Sequence, residues 1–126
     1  MGVVGLGIDV CSVERIRKIL EGPRAERFLA RVYTPAEQKL CAGRADSAAA
    51  YAARFAAKEA LVKALGAPPG LRWLDMEVVR TTGAPNFVLS GVARAEVERR
   101  NLGLLLSLTH DAGVAAATVL LQERGA

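Results

Sequence analysis

Four residues of this 126-residue chain have types and spacings that could do chemistry: Asp9, Glu59, Lys63 and His110. Asp9 ends the apolar run Val3-Val4-Gly5-Leu6-Gly7-Ile8, where an unpaired carboxylate is costly to bury. A helix cap or a core salt bridge would account for it taken alone. Glu59 and Lys63 stand four residues apart, and Phe55 stands four before Glu59. On a helix the three share a face, which by itself describes an ordinary surface ion pair worth about 0.2–0.5 kcal/mol. His110 is the only histidine and ends the stretch Leu-Leu-Leu-Ser-Leu-Thr-His. Alternation along a strand puts Ser107 and Thr109 on one face. His110 then either flips to the other face or sits in the turn as an ordinary, satisfied turn histidine. Two carboxylates, one lysine and one histidine are too few for a zinc site. They suit Mg²⁺, which takes one or two carboxylates and fills its octahedron with water and substrate phosphate. No P-loop and no G-x-G-x-x-G is present, so a nucleotide would not be held by either cradle.

The elements that must position these groups can be read from local signals. Residues 3–9 predict a buried strand with two glycines, which in a strand mark close approach of another backbone or a ligand. Ser12 can cap the helix that follows. Val13, Ile16, Ile19 and Leu20 fall on one face of that helix, and Gly22-Pro23 ends it. A second helical stretch covers about 24–32. Thr34-Pro35-Ala36-Glu37 is a helix start with cap, first-turn proline and capping-box glutamate. Asp46 or Ser47 opens a long Ala-rich helix through Leu65, closed by Gly66. Strands are expected at 74–80 and 85–90 around Thr82-Gly83, and a short helix over 91–100. Two more strands, at 104–109 and 114–121, flank Asp111-Ala112-Gly113. The order predicts an α+β fold, with an antiparallel sheet packed against a long helix.

Composition bounds the function. One chain of this length predicts a single domain over residues 1–126. It is 52% hydrophobic and 24% charged, which excludes a disordered tail. Net charge is +4, suited to an acidic partner or a phosphate-rich ligand. No apolar run reaches the ~18 residues of a membrane helix. The apolar N-terminus lacks a basic leader and contains Asp9, unlike a signal peptide. Cys11 and Cys41 form no disulfide framework or metal-ligand spacing, so a reduced, cytoplasmic setting is expected. A basic RNA-binding module is disfavoured, because aromatic residues are only 5% of the chain and build no stacking platform. A different Mg²⁺-dependent phosphoryl transferase, such as a nucleotide hydrolase, stays open on the residues alone.

Three segments together are more specific. They are Gly7-Ile8-Asp9 with Arg15 six residues beyond the aspartate, Arg54-Phe55-Ala56-Ala57-Lys58-Glu59-Ala60-Leu61-Val62-Lys63-Ala64-Leu65-Gly66, and Leu106-Ser107-Leu108-Thr109-His110-Asp111-Ala112-Gly113-Val114-Ala115-Ala116-Ala117. In this order and spacing the chain closely resembles the holo-[acyl-carrier-protein] synthases, small 4′-phosphopantetheinyl transferases. The likeness runs over nearly the whole length, including Arg27-Phe28 through Glu37 and the Gly83-Ala84-Pro85 turn.

The resemblance implies transfer of the phosphopantetheine arm of coenzyme A to a serine of an apo acyl carrier protein. Adenosine 3′,5′-bisphosphate leaves, and the setting is fatty acid biosynthesis. It implies Mg²⁺ held by Asp9 and Glu59, and a homotrimer with active sites at subunit interfaces. Coenzyme A would be met by Arg44, Arg54, Lys63, Gly83, Pro85, Thr109 and His110. Glu59 and Lys63 would be catalytic, with Glu59 or a water it orients as the acceptor of the serine proton. The acidic carrier would dock on Arg15, Lys18, Arg24 and Arg27, with Phe28 as an apolar anchor; neither nucleic acid nor membrane is an expected partner. Intact Asp9, Glu59, Lys63 and His110 argue against a relative that has lost catalysis. Ala84 stands where a lysine is common in the family, and Arg44 is the lone cation ahead of the long helix that could serve the 3′-phosphate.

Overall fold

Ser12, Thr34 and Gly66 act where the sequence predicts. In a computed structural model that describes residues 2–80 and 82–125, the Ser12 hydroxyl accepts from Arg15 N and opens α1 (Val13–Glu21). A short α2 follows (Ala25–Val32). Thr34 and Glu37 form a capping box at the start of α3 (Pro35–Ala42). The long α4 (Ser47–Leu65) is capped by Asp46, which accepts from Ala49 N, and ends at Gly66 with φ 81°. That left-handed conformation is one glycine reaches without strain.

Strand β1 (Val3–Ser12) runs three residues beyond the predicted end at Asp9, because its pairing continues to Ser12 opposite Val114. A 3₁₀ turn (Trp73–Asp75) precedes β2 (Met76–Val79), which pairs antiparallel with β3 (Asn86–Leu89). After α5 (Gly91–Arg99) come β4 (Leu102–Asp111) and β5 (Val114–Glu123). The last two strands form a hairpin in which Asp111 pairs with Val114. The turn is therefore only Ala112-Gly113, at φ 51° and 79°, as a two-residue hairpin with positive φ at both positions requires.

The strands form a three-stranded antiparallel sheet in the order β1-β5-β4 and a separate β2-β3 ribbon. The fold is thus α+β, with α4 packed on the inner face of the larger sheet. Alanines make that packing close: Ala52, Ala56, Ala57 and Ala60 are fully buried. The outer face is a correction to the expectation of a wholly buried first strand. Leu6, Ile8 and Val10 are 63%, 59% and 62% exposed, as is Leu105 at 56%. Cross-strand pairing puts Leu120, Thr118 and Ala116 of β5 on the same side.

Candidate active site

Gly5 and Gly7 face α4. A Cβ on Gly7 would lie 1.8 Å from Ala60 O, and one on Gly5 2.9 Å from Ala64 O. The absent side chains let the helix lie flush on β1. Asp9 follows on the same face, two residues along, and so comes over the helix where Lys63 reaches up. Lys63 Nζ donates to Asp9 Oδ1 and to Ile8 O, each at 3.1 Å. Asp9 is mostly shielded, at 15% side-chain exposure, whereas Lys63 keeps 54%.

Glu59 belongs to the same cluster. Its carboxyl is pushed above the usual glutamate range, first by burial and then by the negative charge of Asp9; Lys63 and Arg15 oppose the shift. Two carboxylates close enough to repel, with a lysine and an arginine beside them, form a cation-seeking site. Among the described residues no third carboxylate, histidine or cysteine completes a cage. That donor set fits Mg²⁺, which retains waters and takes substrate oxygens, and does not fit structural zinc. Glu59 also lines a mostly apolar groove of about 330 Å³ with Val62, Leu71, Trp73 and Met76.

A second site forms at the other end of α4. A cleft of about 490 Å³ is lined by Arg44, Arg54, Arg80, Pro85, Thr109 and His110, with Ala49, Ala50 and Ala53 among its other walls. It therefore collects five of the residues that the resemblance assigns to coenzyme A. Gly83 stands two residues from Pro85 in the connection between β2 and β3, with φ 72°. His110 stays in the strand, paired with Ala115, so Thr109 and His110 sit on opposite faces of β4. Arg54 is 7% exposed; one of its terminal nitrogens donates to Ala50 O at 3.3 Å, and its buried Nε has no hydrogen-bond partner. Asp46, the one carboxylate on the cleft wall, already accepts from Ala49 N at 3.1 Å and from Arg17 at 3.3 Å. The cleft is thus strongly cationic.

Within one chain Asp9, Glu59 and Lys63 do not line this cleft. Of the expected docking residues, Arg15, Lys18, Arg24 and Arg27 are exposed on α1, α2 and the turn between them. The charge of Arg15 also acts on Glu59. Phe28 turns inward: its ring lies 5.7 Å from Tyr33, edge-on, and 6.1 Å from Phe55. Packing of α2 claims most of that side chain.

Two contributors were not legible in the sequence. Arg80 reaches the cleft from the end of β2. Lys58 is completely buried and donates to Glu37 Oε1 and Val32 O at 2.7 Å and to Trp73 O at 3.1 Å. Its position beside Glu59 in the motif was the only available signal.

The family described as the 4′-phosphopantetheinyl transferase superfamily matches residues 5–116. The chain is 68% identical over 125 residues to the holo-[acyl-carrier-protein] synthase of Myxococcus xanthus (strain DK1622), covering 99% of both. A crystal structure of Helicobacter pylori holo-[acyl-carrier-protein] synthase in complex with coenzyme A superposes with a TM-score of 0.78 at 34% identity, over 93% of this chain and 99% of that one. The holo-(acyl-carrier-protein) synthase from Bacillus anthracis str. Ames in complex with CoA (3′,5′-ADP) gives 0.77 at 31% identity, over 97% and 98%.

Proposed function

The chain belongs to the holo-[acyl-carrier-protein] synthase family within the 4′-phosphopantetheinyl transferase superfamily, and we propose that it moves the 4′-phosphopantetheine of coenzyme A onto a serine of an apo acyl carrier protein. The serine oxygen attacks the phosphorus that bears pantetheine. The bond from that phosphorus to the bridging oxygen breaks, and adenosine 3′,5′-bisphosphate leaves. The single observation that carries this reading is the convergence of Asp9, Glu59 and Lys63 from β1 and α4, with Lys63 Nζ 3.1 Å from Asp9.

Phosphoryl transfer of this kind needs positioning and charge neutralisation more than covalent help. Asp9 and Glu59 would hold Mg²⁺, which when bound supplies charge neutralisation at the diphosphate oxygens. Lys63, half exposed on a flexible stem, offers a point charge to the leaving phosphate. Glu59 would accept the serine proton, directly or through a water that it orients. The cationic cleft takes the nucleotide end, with Arg44, Arg54, Thr109 and His110 around it and the Gly83–Pro85 turn along one side. Arg15, Lys18, Arg24 and Arg27 meet the acidic carrier, whose charge speeds encounter more than it deepens affinity. Phe28 contributes there only through its exposed edge.

The same geometry supports a homotrimer. The carboxylate cluster and the nucleotide cleft open separately on one chain, and the outer sheet face bears Leu6, Ile8, Val10 and Leu105 in the open. An apolar face of this kind marks an association surface. A homotrimer that buries it would set the cleft of one subunit against the carboxylates of the next. The setting is cytoplasmic, where coenzyme A and carrier proteins meet.

The test incubates the protein with apo carrier protein, coenzyme A and Mg²⁺ and weighs the carrier. A gain of one phosphopantetheine, abolished by EDTA, is the expected result. An unchanged mass with several unrelated apo carriers overturns the reading.

A further inference from the structure

An ammonium group is an uncommon tie for a buried seam. Lys58 is fully buried one residue before Glu59. Its three donors go to Glu37 Oε1, Val32 O and Trp73 O. Stability alone does not call for it, since a well-packed apolar side chain of similar volume often holds such a seam as well or better. What the ammonium adds is direction. Hydrogen bonds fix distance and angle, whereas apolar contact is non-directional and lets packed segments slide.

The bond to Trp73 O points toward the site. It holds the 3₁₀ turn that precedes β2, and the side chain of Trp73 borders the apolar groove together with Glu59. That turn is only three residues long, a short element with poor internal hydrogen-bond geometry. Its orientation must come from its neighbours. Phe55, four residues before Glu59 on α4, packs its ring against that of Trp73, with centroids 5.4 Å apart and planes inclined by 36°. Trp73 is thus held twice from α4, by its carbonyl through Lys58 and by its ring through Phe55. Both anchors lie within about one helical turn of Glu59.

We propose that Lys58 is a positioning residue for transfer: its bond to Trp73 O sets the Trp73 wall beside Glu59 and so keeps that carboxylate directed at Asp9 and the reacting phosphorus. This inference rests on the transferase reading, which places the chemistry at Glu59. Lys58 touches no substrate and acts through Trp73. A reacting group needs supporting side chains that are themselves locked in place, and a buried ammonium with all three donors used is locked.

The test reads the position of the wall and the rate separately. Trp73 is the only tryptophan, so its emission and acrylamide quenching report the wall directly. Lys58→Arg keeps a cation opposite Glu37 and changes its reach toward Trp73 O. Trp73→Ala removes the wall and leaves the buried pair in place. Val97→Ala, which truncates a buried side chain of α5 outside the groove, controls for lost stability. All are assayed well below their melting temperatures. Lys58→Arg should red-shift the emission, raise the quenching and lower kcat about ten- to a hundredfold, the scale of a misplaced reacting group. The KM for coenzyme A should stay within about twofold. Trp73→Ala should lower kcat by a similar factor. Adding Lys58→Arg to it should lower kcat no further, as required when one residue acts only through the other. Val97→Ala should keep the wild-type emission and kcat. An unchanged emission in Lys58→Arg, a wild-type kcat in Lys58→Arg or Trp73→Ala, losses that multiply in the double variant, or an equal loss in Val97→Ala overturns the inference and leaves the transferase reading standing. Should Lys58→Arg fail to fold, Trp73→Ala decides: a wild-type kcat overturns the inference, and a loss of about tenfold or more at constant KM supports it. Absence of transfer by the wild-type protein overturns the transferase reading and this inference together.

Discussion

Lys58 Nζ lies 2.7 Å from Glu37 Oε1, and neither side chain reaches solvent. Burial lowers the proton affinity of Lys58, and the charge of Glu37 restores part of it. Every donor of the ammonium is used, since Val32 O and Trp73 O take the other two. Glu37 in turn accepts from Thr34 N at 3.0 Å and Val78 N at 2.9 Å. One ion pair therefore ties α4 to the end of α2, the start of α3, the 3₁₀ turn and β2. Glu59 is the next residue along α4, and Trp73 faces it across the groove they share.

Removing one partner of a buried pair leaves the other charged and uncompensated. Lys58→Ala is expected to cost about 3–5 kcal/mol of unfolding free energy by this mechanism. Urea denaturation of the purified protein measures it. A loss below about 1 kcal/mol, the scale of an exposed pair, would show that water reaches Glu37 in the variant and that the network is not closed.

Gly7 sets the distance between β1 and α4. An alanine there needs α4 to retreat, because its Cβ would meet Ala60 O at 1.8 Å. Overpacking of this kind costs about 1–3 kcal/mol, and a displacement near 1 Å at a reacting centre costs roughly a hundredfold in rate. Gly7→Ala should therefore lose both melting temperature and kcat. Gly2→Ala, where nothing lies within 4 Å of the added carbon, should lose neither. Full transfer activity in the Gly7 variant would contradict the close packing.

The parts of this fold governed by local chemistry were legible before the structure. The Ser12 cap, the Thr34–Glu37 capping box and the Gly66 terminus depend on residues within a turn of one another. The convergence of Asp9 with Glu59 and Lys63 was legible only through the motif, since 50 residues separate the two carboxylates. The rest required tertiary knowledge. A strand with apolar residues on both faces does not say which face is covered, so the exposure of Leu6, Ile8 and Val10 was not foreseen. An acidic residue after an apolar run looks like a strand end, although β1 continues past Asp9. A helical lysine is by default a surface group, and only acceptors from three other segments explain why Lys58 is buried. Arg80 stands outside all three motif segments and reaches the cleft through the pairing of β2 with β3.

Glu59 gives the enzyme a pH signature. Its carboxyl titrates above the ordinary value of 4.5 because it is partly buried beside Asp9. The folded state then binds more protons than the unfolded state between 4.5 and the raised value, so stability falls as pH rises through that window. In the absence of Mg²⁺, Glu59→Gln should flatten this dependence and raise the melting temperature at neutral pH. It should also lower transfer by about 10²-fold or more, the scale of losing one preorganised electrostatic contact. Added Mg²⁺ should stabilise wild type above the window and leave the variant unchanged. Thermal melts at several pH values, with and without the ion, read all three effects. A variant that keeps the wild-type rate would remove Glu59 from the site.

Charge reversal separates carrier docking from coenzyme A binding, provided that the residue chosen touches only one of them. Arg15 does not qualify, because its charge lowers the proton affinity of Glu59. Arg15→Glu should therefore disturb both the KM for carrier protein and the rate. Arg24 precedes α2 and borders a shallow surface depression with Pro23, Glu26, Arg27 and Ala30, away from the carboxylate cluster and the arginine cleft. Arg24→Glu should raise the KM for an acidic carrier about fivefold at low salt, as expected for replacing one exposed attractive pair by a repulsive one. The effect should shrink as ionic strength rises, and the KM for coenzyme A should stay unchanged. Steady-state kinetics with each substrate varied at fixed saturating levels of the other make the distinction. Equal effects on both Michaelis constants would place Arg24 in a structural role and move the docking face elsewhere.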